Sequence, residues 1–159
     1  MIDTDCPENG ALAQAAGGAA VLACADGRWR DYRSLEQVKI RLNIDDPGAA
    51  NGTGHSEQLI LGQVGMPTQV ENSSVEVRDV RTEGGSIVHE PQKNSLLLKA
   101  NVVSIGADKK AHVLLDIASR VGGRVWMHHV DTSLKIDEVT TVATDDSGVR
   151  YALKISRPL

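Results

Sequence analysis

The chain has 159 residues, with 17 Lys and Arg against 21 Asp and Glu, a net charge of −4 and a pI near 5.7. This balance excludes the basic surface of a nucleic-acid-binding protein, and no apolar run approaches the roughly 20 residues of a membrane-spanning helix. Phe is absent and only two Trp and two Tyr occur, so we expect one aliphatic core, with or without a small attached module.

A small hairpin module is predicted over residues 1–33, ahead of a β-rich recognition domain over residues 34–159. The apolar segment Ala20–Ala25 is followed by Asp26-Gly27, a dipeptide that favours the positive φ angles of tight turns. A second strand is expected to begin at Arg28. The module should therefore consist of two short antiparallel strands and the segment that precedes them.

Both cysteines of the chain, Cys6 and Cys24, lie in this module. A disulfide between them would link the amino-terminal segment across the hairpin and stabilise the fold by about 3 kcal/mol. Such a bond is common in small exported domains and rare in a reducing cytosol. The cysteines therefore predict a structural disulfide and an oxidising compartment.

The rest of the chain is typical of short β-strands. Apolar residues alternate with polar ones from Val38 to Ile44, which favours a strand from about Val38 over a helix opened by Ser34. A loop is expected over Asp45–Ser56. Further strands are predicted at Glu57–Val64, Ser74–Arg81, Gly85–His89, Ser95–Ile105, Ala111–Ala118, Gly123–Val130, Leu134–Ala143 and Val149–Ile155.

Turn residues separate these strands at intervals of about 8–12 residues, which indicates a sandwich or barrel. Glu90-Pro91 is one expected turn, and hairpins are expected at Gly106–Lys109 and Asp145–Gly148. The segment Asp116–Val121 is the one place where a short helix stays open. The predicted fold is all-β: a disulfide-stapled N-terminal β-hairpin followed by an antiparallel β-sandwich or barrel-like domain.

The spacing of residues around the cysteines resembles a module of the shufflon-type minor pilins of bacterial type IV pili. The resemblance covers residues 4–33, and its matching residues are Cys6, Gly10, Gly18, Leu22, Cys24, Gly27 and Trp29. It implies display outside the cell, at or near a pilus tip, and adhesion to a surface such as lipopolysaccharide. A pilin leader and its long hydrophobic helix do not occur in this sequence, so we expect an excised tip domain or a relative that carries only the module.

Catalytic patterns are weak. The five histidines show no closely spaced metal-binding motif. His128 and His129 should point to opposite faces of a strand, and only His129, Asp131 and His112 offer a partial metal site. Ser86 with His89 lacks the context of a nucleophile elbow. We therefore predict no catalytic residue, no metal and no cofactor.

A ligand-binding surface is predicted on one strand face, where Arg124, Trp126 and His128 alternate. Aromatic rings beside polar side chains are suited to carbohydrate recognition. The alternative is that Trp126 fills the aliphatic core, because aromatic side chains supply large buried areas. Trp29 is expected to cover the disulfide rather than contact a ligand.

These features favour an extracellular bacterial adhesion or pilus-tip domain that binds a cell-surface glycan, lipopolysaccharide or protein. Its partners would be that surface ligand or pilus subunits, with no nucleic acid and no membrane span. The alternative is a structural assembly protein, such as a phage-tail or capsid-like component, whose β domain forms a homo-oligomer. A β-barrel hydrolase or metal enzyme ranks third.

Overall fold

A computed structural model describes residues 1–18, 20–47, 55–121 and 124–158. Nearly all of its regular structure is extended, and a single 3₁₀ turn, Tyr32–Ser34, is the exception among these residues. The strands are β1 Leu12–Gln14, β2 Val21–Ala25, β3 Arg28–Asp31, β4 Gln37–Asp45, β5 His55–Gln63, β6 Thr68–Arg81, β7 Ile87–Ile105, β8 Lys110–Val121, β9 Arg124–Lys135, β10 Thr140–Thr144 and β11 Arg150–Ser156.

The strands form three antiparallel sheets. The amino-terminal sheet has the order β1-β2-β3, and the two larger sheets have the orders β10-β11-β4-β5 and β6-β7-β8-β9. We call the last two sheet B and sheet C. One hydrophobic core draws buried residues from both of them, so they pack face to face as a sandwich. The all-β prediction is confirmed.

The core is aliphatic, as the composition requires. Alternation along β4 sends Val38, Ile40 and Leu42 inward, and β8 does the same with Val113 and Leu115. Tyr151 is the only aromatic residue among the described residues of this core that is fully buried. Each strand of the sandwich therefore has one face that contributes to the core and one that does not.

The amino-terminal sheet is held by a disulfide between Cys6 and Cys24, whose Cα atoms lie 5.7 Å apart. The β2–β3 turn has positive φ at Asp26 (53°) and Gly27 (75°), as the dipeptide predicts. Trp29 is buried beside both cysteines, so it covers the disulfide. The opposite face of β2 packs on Met66, in the connection between β5 and β6.

Two local predictions are wrong, and one open alternative is decided. Pro91 does not end a strand, because β7 continues through it from Ile87 to Ile105. The segment Asp116–Val121, where the sequence leaves a short helix open, is part of β8, since it pairs with both β7 and β9. The strand expected over Leu134–Ala143 is interrupted by a turn in which Asp137 has a φ of 66°.

The loop predicted over Asp45–Ser56 is shorter than expected at both ends. Asp45 belongs to β4, and His55 and Ser56 belong to β5, where they pair with Asp45 and Ile44. The centre of the predicted loop, residues 48–54, lies outside the described residues.

Candidate interaction surfaces

A two-stranded ribbon extends from one end of sheet C. It consists of Val75–Arg81 of β6, the turn at residues 82–86, and Ile87–Lys93 of β7. The third strand, β8, stops at Val121, which pairs with Asn94. Seven cross-strand pairs of β6 and β7 therefore have no described third strand beside them. At the usual rise of a strand they extend over about 20 Å.

Every ribbon side chain that the structure describes is exposed. Four of these side chains are large and apolar: Val75 is 62% exposed, Val80 37%, Ile87 60% and Val88 42%. An isolated two-stranded hairpin is at best marginally stable in water. The ribbon therefore lacks, within the described chain, the apolar cover that such a hairpin needs.

Pro91 blocks one edge of the ribbon. The Thr82 N–H donates to the Ser86 carbonyl at 2.8 Å, which sets the phase of the hydrogen-bonding ladder. Counting from this pair, Pro91 lies opposite Val77 in a pair without mutual hydrogen bonds, so its nitrogen points outward from β6. That edge has no N–H donor where a further strand would need one.

The outer face of sheet C carries an apolar row. Leu97 of β7, Ala118 of β8 and Met127 of β9 lie directly beside one another across the three strands. Met127 is 75% exposed, the highest value among the large apolar side chains described. The row lies in a shallow depression of about 520 Å³.

The rows on either side of this apolar row are mainly polar. The next row toward one end of the sheet contains Lys99, Asp116 and His129, and the next row toward the other contains Ser95, Arg120 and the exposed Val125. On β6, the exposed Glu71 lies directly beside Leu97. Within the first of these rows the Asp116 carboxylate accepts a hydrogen bond from the His129 Nδ1 at 2.5 Å. Because Asp116 is paired with this histidine, Lys99 and Arg120 are the flanking charges that no described carboxylate contacts within salt-bridge distance.

Four of the five histidines pair with an aspartate on a neighbouring strand. His112 lies 2.7 Å from Asp131 and His55 lies 2.6 Å from Asp45, measured from ring nitrogen to carboxylate oxygen. The other two pairs are His129 with Asp116 and, on the ribbon, His89 with Asp79. The sequence predicts one partial metal site that contains His112, His129 and Asp131. In the structure His112 pairs with Asp131, whereas His129 pairs with Asp116.

These pairs do not combine into a larger cluster. Within the described ranges, no group of three or more His, Cys, Asp or Glu is close enough to hold a metal ion. Ser86 lies in the turn of the ribbon, where its carbonyl accepts from Thr82, and His89 is bonded to Asp79. The residues weighed for a Ser–His site are therefore engaged in the hairpin itself.

The predicted ligand residues Arg124, Trp126 and His128 lie at alternate positions of β9, on the side that faces sheet B. The Trp126 ring stacks with the rings of His128 (centroids 5.3 Å apart) and Tyr151 (5.2 Å apart). Arg124 and His128 are exposed, whereas Trp126 is half-buried.

Tyr151 anchors this aromatic stack from sheet B. It is 2% exposed, and burial raises the pKa of its phenol, although a hydrogen bond with Ser119 acts in the opposite direction. Trp126 is half-buried and packs against the main core. The stack therefore closes one open side of the sandwich between the two sheets.

Comparison with known proteins found no match to this chain: no family model, no curated protein and no solved structure is similar to it. Among the residues that the structure describes, no helix has the length and apolar character needed to cross a membrane.

Proposed function

We propose that this chain is a non-enzymatic assembly protein that self-associates through its ribbon. The observation that carries the proposal is the ribbon itself: seven strand pairs whose described side chains are all exposed, with apolar residues on both faces. Apolar surface buried on association contributes about 25 cal/mol per Å² before the costs of ordering. Contact with another molecule would cover the apolar side chains of the ribbon, which the described chain leaves exposed.

The disulfide supports an oxidising location for this assembly. Cys6 and Cys24 are both consumed by the bond, and no described cysteine is free. Disulfides of this kind persist outside the cell or in the periplasm and are rare in the cytosol. We therefore propose that the assembly lies in an oxidising compartment, outside the cytosol.

The test is the mass of the full chain in solution, measured by light scattering after size exclusion over a range of concentrations. A shortened variant lacks residues 77–80 and 88–91, which removes four pairs symmetrically and keeps the turn and the alternation of faces. We expect the parent chain to form oligomers and the shortened chain to be a monomer with unchanged circular dichroism of the sandwich.

Leu61→Glu is the matched control, because Leu61 is 70% exposed on the outer face of sheet B, whereas the ribbon extends from sheet C. It should assemble like the parent chain. A parent chain that stays monomeric up to its solubility limit contradicts the proposal.

A second candidate function is adhesion to a surface glycan or lipopolysaccharide, as the resemblance to shufflon-type minor pilins implies. It is favoured by the exposed Arg124 and His128 beside the Trp126 stack. Binding to immobilised lipopolysaccharide and to glycan arrays should fall in Arg124→Ala and His128→Ala, and Lys135→Ala on the other face of β9 is the control. Equal binding by all these chains contradicts the adhesion proposal at this site.

A further inference from the structure

We propose that the ribbon pairs edge to edge with the ribbon of a second copy, through β6 and about a two-fold axis at Val77. The two ribbons would form one antiparallel sheet of four strands, in the order β7-β6-β6-β7. This inference rests on the proposed function, since it names the partner and the contact of the self-association.

The β6 edge of the ribbon is open to pairing. β6 ends the strand order of sheet C, so no described strand lies beside this edge. The Thr82 N–H donates to the Ser86 carbonyl, and the unbroken register from that pair places every second residue of β6 in a pair without mutual hydrogen bonds. The backbone N–H and C=O groups of these residues therefore point away from β7. The residues are Val75, Val77, Asp79 and Arg81.

The β7 edge of the ribbon is less suited to pairing. The Pro91 nitrogen points outward from β6 and carries no hydrogen, so a strand added along β7 would lack a hydrogen bond at this position. On β6, all four outward residues keep their N–H donors. The difference between the two edges directs an added strand to β6.

A second ribbon supplies what the hairpin lacks. A two-stranded hairpin is marginally stable in water, whereas three or more strands with an apolar face can be stable without other support. Two ribbons joined through β6 make four strands, and both copies gain equally because each uses the same edge. Such an isologous contact consumes the open edge of each copy, so association ends at a dimer.

The two-fold axis restricts the register of this contact. An axis perpendicular to the sheet keeps every residue on its own face, and opposite residues of antiparallel strands share a face, so the residue at the axis lies opposite itself. Four of the seven ribbon residues of β6 are charged, and each would oppose a like charge if it stood at the axis. They are Glu76, Arg78, Asp79 and Arg81. The uncharged centres are the three valines, Val75, Val77 and Val80.

Two of these three centres are unfavourable. An axis at Val75 would put Glu71 opposite Asp79 of the second copy, which is a like-charge pair. An axis at Val80 would leave only three cross-strand pairs before the turn at residues 82–86.

An axis at Val77 avoids both problems. It pairs residues 73–81 of the two copies, and Val77 is itself an outward residue, so hydrogen bonds form at the centre. It places Glu76 of each copy opposite Arg78 of the other, and these four residues alternate in sign around the axis on one face. Arg78 lies opposite Glu90 in its own ribbon, so the basic residue would stand between two acidic ones.

The first experiment reverses these charges in the full chain. Glu76→Arg makes both pairs across the axis basic, and Arg78→Glu makes both acidic when it is combined with Glu90→Arg, which keeps an opposite-charge pair within the ribbon. Turning two attractive pairs into repulsive ones should weaken the dimer of each variant by about tenfold or more. An equimolar mixture restores two opposite-charge pairs and should form a heterodimer of the parent's affinity. Sedimentation velocity over a concentration series measures these affinities.

The second experiment removes one backbone donor from each edge. Val75→Pro deletes an outward N–H of β6, and the two-fold axis doubles the loss, so the dimer should weaken by about tenfold or more. Ile87→Pro is the matched control, because it deletes an outward N–H of β7 and should leave the dimer unchanged. Neither N–H is used within the ribbon, so circular dichroism of both variants should match that of the parent.

The outcomes separate this inference from the proposed function. If the parent chain assembles but Val75→Pro and the charge variants assemble equally well, the β6 edge is wrong while self-association stands. Growth of the parent beyond a dimer also overturns the two-fold contact, and a mixture that does not recover the parent's affinity overturns the register at Val77. If the parent chain is a monomer, both proposals fail.

Discussion

The two halves of β6 and β7 obey the same pairing rules in opposite environments. Near the sandwich, Leu98 and Ala100 are each 1% exposed and pack in the main core. Beyond Asn94 the same strands continue in register, yet every described side chain of the ribbon is exposed. The comparison shows that the hydrogen-bonded pairing of the two strands alone holds the ribbon, whereas the sandwich is also stabilised by its buried apolar side chains.

The largest test of this comparison substitutes one residue in each half of β7. Leu98→Ala should lower the free energy of unfolding by about 2–5 kcal/mol, because it leaves a cavity in the core. Val88→Ala in the ribbon should change it by less than about 0.5 kcal/mol in the monomer. Urea denaturation of dilute chain measures both values.

Protein concentration provides the control for this pair. Under conditions where the chain assembles, Val88→Ala should become destabilising while the effect of Leu98→Ala stays constant, because binding stabilises the folded state by mass action. A large effect of Val88→Ala in the dilute monomer would show that the ribbon is buried within its own chain.

The second test compares the ribbon with the amino-terminal sheet, which also lies outside the main core. That sheet has its own small core of Leu22, Cys24 and Trp29, together with a disulfide. Replacing both Cys6 and Cys24 by Ala should cost about 3 kcal/mol in the chain-entropy account. The measurement is the urea midpoint of this variant against the oxidised parent.

Reduction of the parent chain with a thiol reagent is the matching control, since it should lower stability by a similar amount. If neither change shifts the midpoint, the small core alone holds the sheet. The feature that distinguishes the amino-terminal sheet from the ribbon would then be its small core and not its disulfide.

The third test concerns the free edge of the ribbon. Pro91→Val restores an outward N–H and should promote sheet extension, seen as higher-order aggregates and increased thioflavin fluorescence. Pro91→Lys restores the same donor but adds a charge that disfavours edge pairing, so it should aggregate less. Equal aggregation of both variants would mean that the edge is not the route.

Much of the sandwich could be predicted from sequence because its strands bury one face. Alternation at Val38, Ile40 and Leu42 identified β4, and the Asp26-Gly27 dipeptide identified the first hairpin turn. Pro91 misled the prediction, since a proline signals a turn unless its place in the ladder is known. That place depends on the partner strand, which the local sequence does not contain.

The interaction surfaces were less predictable for a related reason. Alternation correctly put Arg124, Trp126 and His128 on one face of β9 but did not indicate that this face turns toward Tyr151 on the other sheet. The apolar row of Leu97, Ala118 and Met127 comes from three strands, each contributing one residue. Because these residues lie far apart in the sequence, only the register that pairs the strands reveals the row.

The smallest test examines the buried end of the aromatic stack. Burial raises the pKa of Tyr151 above the ordinary value of 10.0, so the folded chain keeps the phenol proton to higher pH than the unfolded chain does. The resulting contribution to stability is complete below about pH 10 and is lost as the pH rises through the folded-state pKa. Urea midpoints of the parent chain should therefore fall in this alkaline range.

Tyr151→Phe should remove that part of the alkaline decline, at a cost near neutral pH of about 1 kcal/mol for the lost hydrogen bond with Ser119. Tyr32→Phe, at an exposed position of the 3₁₀ turn, is the control for general alkaline effects and should decline like the parent. If Tyr151→Phe follows the parent curve above about pH 10, the phenol is not sealed between the sheets. The stack would then be open to solvent, which would favour ligand access at Arg124 and His128 over the closed sandwich described above.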